Sequence, residues 1–137
     1  MAMANIANLK KYLGYRFSSG STIGDDFKSF STKFRNYIKS MCEEHGMELV
    51  SFNRGHYECS GFLKVLDTNS FIYWSISDVR YWADDWYRKV LYRTADNQKD
   101  YRGGPNMYCS LDKLGESAVL LAKRTVARNS NNGSANI

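Results

Sequence analysis

The sequence predicts an α+β domain, a four-stranded antiparallel sheet packed with an N-terminal and a C-terminal helix. Three observations carry that prediction. Apolar residues recur every three or four positions from Gly24 to His45, and again from Leu111 to Ala122. Between those stretches, from Met47 to Ala95, the dominant period is two. Turn clusters at Asn53-Arg54-Gly55 and Asp67-Thr68-Asn69-Ser70 cut that alternation into hairpins.

Taken in order, Ile6, Leu9, Tyr12 and Leu13 have spacings that fit two turns of helix, and Phe17 to Ser21 is a loop by composition. Phe27, Phe30, Phe34, Tyr37, Ile38 and Met41 then form one apolar stripe. Ser21 or Thr22 can cap that helix, Asp25 and Asp26 complement its dipole, and Gly46 suits a left-handed stop. With three Phe on the stripe, the helix is expected to cover a sheet. The strands follow as 47–52, 56–65, 71–77 and 89–95. Gly61 inside the second strand predicts a bulge or a close backbone approach. In the third, Ile72, Trp74 and Ile76 share one face while Phe71 and Tyr73 share the other, which is the pattern of a central strand. Asp78 to Trp86 breaks the alternation as a helical turn or an irregular crossover, and Asp96 to Asn106 reads as a long polar loop. Ser110 can cap a last helix whose buried stripe is Leu111, Leu114, Ala118, Leu121 and Ala122. Residues 1–124 are expected to form one domain, and the Asn/Ser-rich stretch 125–137 a disordered polar tail.

The chain carries a net charge of +5, located at its ends. Residues 1–20 contribute +3 and residues 110–137 contribute +2, whereas residues 21–109 balance twelve basic side chains against twelve acidic ones. A surplus this small is below the density of a dedicated basic arm. Cys42, Cys59 and Cys109 are odd in number and widely spaced, so they predict small buried or half-buried thiols in a reducing compartment and neither a disulfide framework nor a zinc site. With no apolar leader and no run of 18 apolar residues, an intracellular, non-spanning protein is expected.

No catalytic signature is complete. His45 and His56 lack a nucleophile motif around them, and adjacent Asp84 and Asp85 lack a third metal ligand, so no metal is expected. There is no P-loop or dinucleotide fingerprint, and no cofactor is expected. A hydrolase would need His56 to meet Asp78 or Asp100 in space. The centre of the chain instead gathers planar and cationic side chains: Tyr73, Arg80, Tyr81, Trp82, Trp86, Tyr92, Arg93, Tyr101, Arg102 and Tyr108. Rings that stack on bases and guanidiniums that pair with phosphate are the chemistry of single-stranded nucleic acid and nucleotide binding. The residues expected to touch a ligand are Arg80, Tyr81, Trp82, Trp86, Arg93, Tyr101, Arg102 and Asn106, with the aromatic rings stacking, the arginines holding phosphate and Asn106 reading a base edge. Gly103 and Gly104 would let backbone approach the ligand. The same rings, if exposed, also fit a protein-binding hot spot, and packing into the core is the structural alternative for several of them.

Ser77-Asp78-Val79-Arg80, then Arg93-Thr94-Ala95, then Lys99-Asp100-Tyr101 followed by Gly103-Gly104 and Asn106, resembles a pattern in small uncharacterised proteins of bacteriophages and gut bacteria. The resemblance covers about a third of the chain, and more if Phe52-Asn53, Gly55-His56 and Ser60-Gly61-Phe62 belong to it. It brings no assigned reaction. It implies a phage or mobile-element origin, residence in the cytoplasm of a host cell, and action by binding a nucleic acid, a signalling nucleotide or a host defence protein.

Overall fold

The computed structural model describes residue 9 and residues 23–55, 58–77, 90–100 and 103–135. It contains α1 (Ile23–His45), β1 (Met47–Arg54), β2 (Cys59–Val65), β3 (Ser70–Ile76), β4 (Val90–Ala95), β5 (Met107–Cys109), a 3-10 turn (Leu111–Lys113) and α2 (Leu114–Ala135). The α+β class and antiparallel sheet match the sequence prediction, but the sheet has five strands and not four. They are ordered β1-β2-β3-β4-β5, each antiparallel to its neighbours. The fifth is three residues long and pairs Cys109 with Val90, Tyr108 with Leu91 and Met107 with Tyr92. Three residues are too few to produce a readable alternation beside a polar loop.

Helix α1 ends where its sequence says it should, at Gly46 with φ +70°. Both helices cover one face of the sheet. Phe30, Phe34, Ile38 and Met41 from α1, and Leu111, Leu114, Ala118 and Ala122 from the C-terminal segment, meet Leu63, Ile72, Trp74, Ile76 and Val90 in one buried cluster. Leu9 reaches the same cluster and is 1% exposed. An aromatic network lies at its centre: Phe34 sits 5.6 Å from Trp74 and 6.1 Å from Phe52, and Phe52 sits 5.6 Å from Trp74. Such pairs each contribute about 0.5–1.5 kcal/mol beyond area burial.

Gly61 explains how these rings fit. It lies between Phe52 and Trp74 in the strand register, and a Cβ there would run into the Ser51 carbonyl oxygen. Of the bulge or close approach expected at this glycine, the close approach is what is found; the register irregularity lies beside it on β1, between Leu49 and Ser51. Other boundaries differ from the sequence reading. The first turn lies later than Asn53-Arg54-Gly55: β1 runs to Arg54, and the Gly55 N–H donates to Glu58 O at 2.9 Å. Ser110 occupies the cap position with extended backbone, but its side chain makes no capping hydrogen bond. Where composition predicts a disordered tail from Thr125, the backbone stays helical to Ala135. Proline, the strongest helix breaker, is absent from that stretch.

Candidate functional site

The strand register sorts the sheet face opposite the helices into rows. One row crosses all five strands through Asn53, Ser60, Ser75, Leu91 and Tyr108. The next contains Ser51, Phe62, Tyr73 and Arg93. Side chains are small at the middle of the first row and large around it, so the sheet surface is hollowed there. The hollow has a volume of about 500 Å³, and the described residues that line it include Ser60, Ser75 and Ser77, with Tyr73, Leu91 and Tyr108, and Asn53, Arg54, Gly55 and Glu58. That volume lies within the range of small-molecule sites. Tyr108 presents a ring that is 52% exposed.

The row beside it is closely packed. Phe62 is fully buried although it faces away from the helices, and it meets Tyr73 edge-on at 5.2 Å. The Arg93 guanidinium lies over the Tyr73 ring at 4.4 Å. Arg93 is 4% exposed and donates to Thr94 O at 3.2 Å and to Asp100 O at 3.1 Å. Asp100 organises the loop above it, because its carboxylate accepts the Asp96 N–H and the Gly103 N–H, each at 2.9 Å. Gly103 adopts φ +37°, and a Cβ there would meet the Arg93 guanidinium and Thr94 O. Only glycine suits that position, for both conformational and steric reasons.

Of the eight residues expected to bind ligand, Arg80, Tyr81, Trp82, Trp86, Tyr101 and Arg102 lie outside the described residues, as do His56, Asp78, Asp84 and Asp85. Asn106 is exposed just ahead of β5. Arg93, expected to hold phosphate, is buried and donates to the Thr94 carbonyl of β4 and the Asp100 carbonyl of the β4–β5 loop. Tyr92, from the wider aromatic set, is 6% exposed and belongs to the helix-side core. Sequence reasoning missed Ser60, Ser75 and Asn53. Their signal was present as three outward strand positions occupied by small or polar residues, but the rows become visible only when the strands are in register.

The thiols are poor nucleophiles. Burial pushes Cys42 and Cys59 up to about 12 and Cys109 up to about 11, which holds all three protonated near neutrality. Tyr37 is likewise raised to about 12, first by burial and then by the charges of Asp112 and Glu44, and its hydroxyl points to Leu111 O at 3.5 Å. His45 lies with its ring against Gly115 on α2, a helix-packing position. Among the described residues, no helix is long and apolar enough to cross a membrane. Comparison with protein-family models, curated proteins and solved structures gives no match.

Proposed function

We propose that this chain is a phage-type accessory protein that acts in the cytoplasm of its host by binding single-stranded nucleic acid or a nucleotide, without catalysing a reaction. The observation that carries the reading is the hydroxyl-floored hollow on the outer sheet face, bordered by the rings of Tyr73 and Tyr108. A sheet covered by helices on one face and presenting rings and hydrogen-bonding groups on the other suits an extended, partly unstacked strand. Arg80 and Arg102 supply phosphate contacts in this reading, and Tyr81, Trp82, Trp86 and Tyr101 supply stacking. Arg93 is reassigned from ligand contact to loop support. The neutral centre of the chain favours a few placed contacts over a broad electrostatic footprint.

The test is retention of a labelled single-stranded oligonucleotide at low salt, weakening as salt rises, or excess absorbance at 260 nm in the purified protein. The absence of both a shift and co-purifying nucleotide would reject the reading. The second reading, a protein-binding inhibitor of a host defence protein, draws on the exposed ring of Tyr108 in the same region. Recovery of one stoichiometric, nuclease-insensitive partner that is lost in Tyr108→Ala would favour it over nucleic-acid binding.

A further inference from the structure

The hollow on the outer face has a chemistry of its own, separate from the arginines of the central stretch. Its floor is the pair Ser60 and Ser75, which face each other across β2 and β3. Among the described residues, its lining holds one basic side chain, Arg54, and one acidic side chain, Glu58. Arg54 is directed toward α1, where its guanidinium donates to Ser31 Oγ at 3.5 Å. Arg93, one row away, donates to the carbonyls of Thr94 in β4 and Asp100 in the following loop. Among the described residues the lining is therefore electrically balanced and rich in hydroxyls, with an exposed planar ring at the β5 side.

We infer that this hollow takes the neutral base and ribose of a nucleotide, with the phosphate left outside it. The ligand class is thus a nucleoside moiety: the base lies against Tyr108, and its edge and ribose hydroxyls are met by the Ser60 and Ser75 hydroxyls and the Asn53 amide. Stacking and neutral hydrogen bonds both suit an uncharged planar group. With Arg54 turned to α1, a phosphate buried there would find no charge-assisted partner among the described lining residues and would bear a desolvation cost. This inference rests on the nucleotide-binding reading and narrows it to one subsite.

The experiment titrates the full-length protein calorimetrically with the four ribonucleosides and their 5′-monophosphates, alongside a mixed-sequence single-stranded oligonucleotide. The expected result is that at least one nucleoside binds, with its monophosphate within threefold in affinity. Ser75→Trp, which fills the hollow from an outward strand position, is expected to weaken both at least tenfold. Tyr108→Ala, at an exposed position on a short edge strand, is expected to weaken both while leaving the melting temperature within about 2 °C, as surface substitutions usually do. A monophosphate binding more than tenfold tighter than its nucleoside would overturn the inference and leave nucleotide binding standing. Oligonucleotide binding that Ser75→Trp leaves unchanged would do the same. Failure of nucleosides, monophosphates and oligonucleotide together would overturn both.

Discussion

Arg93→Met separates support of the loop from contact with a ligand. Methionine preserves much of the apolar stem but removes the guanidinium that lies over Tyr73 and donates to Thr94 O and Asp100 O. Thr94 O keeps the Gly104 N–H as a donor at 3.2 Å, so its loss is partial. The Asp100 carbonyl loses its guanidinium donor. A hydrogen bond from a charged group contributes about 1.5–3 kcal/mol, and the cation–π contact about 0.5–2 kcal/mol. Water can replace part of the hydrogen bonding once the loop loosens, so the net loss is about 2–3 kcal/mol. For a chain of this size that lowers the melting temperature by about 7–10 °C. Thermal unfolding followed by circular dichroism measures the loss, and oligonucleotide affinity is measured in parallel well below the transition. Affinity is expected to change less than threefold. An unchanged melting temperature with affinity down more than tenfold would refute the reasoning and return Arg93 to the ligand.

The remaining predictions concern the core and the thiols. Gly61→Ala places a Cβ against the Ser51 carbonyl and 3.2 Å from the Trp74 ring. The backbone cannot turn aside as a flexible side chain would, so chemical denaturation should report a loss of about 1–3 kcal/mol. Cys42, Cys59 and Cys109 should resist a thiol reagent in the native protein and react together, three per chain, once it is unfolded. Rapid native labelling would show that the thiols are not enclosed. These thiols and Tyr37 also bind their protons more tightly when folded than when unfolded. Their contribution is thus complete below the unfolded values near 9 and 10, and is lost as pH rises from there through about 11 and 12. Denaturation midpoints measured from pH 8 to 11 should fall progressively, and a flat profile would contradict the assigned burial.

What the sequence made legible was the layer structure. Three phenylalanines at helical spacing and Ile72, Trp74 and Ile76 at strand spacing define two apolar surfaces that can only face each other. Gly46 and Gly61 were legible because each fills a need that few other residues meet, a left-handed helix stop and a close crossing of backbones. Strand β5 was not, because its pairing with β4 depends on how the long polar loop folds back. The burial of Arg93 was not legible for a related reason. Composition marks a guanidinium as a phosphate partner, while its depth is set by Asp100 and Gly103, seven and ten residues along. The hollow also escaped notice, since Ser60 and Ser75 are unremarkable residues until the β2–β3 register puts them side by side.

In the proposed function the outer sheet face, and not the helix layer, meets the ligand. Its most direct test is a two-dimensional amide NMR titration of the labelled protein with a short single-stranded oligonucleotide at low salt. The account predicts the largest shifts at Ser60, Ser75, Leu91 and Tyr108, which share one row across four strands. Shifts confined to α1 and α2, or none at saturating oligonucleotide, would contradict it.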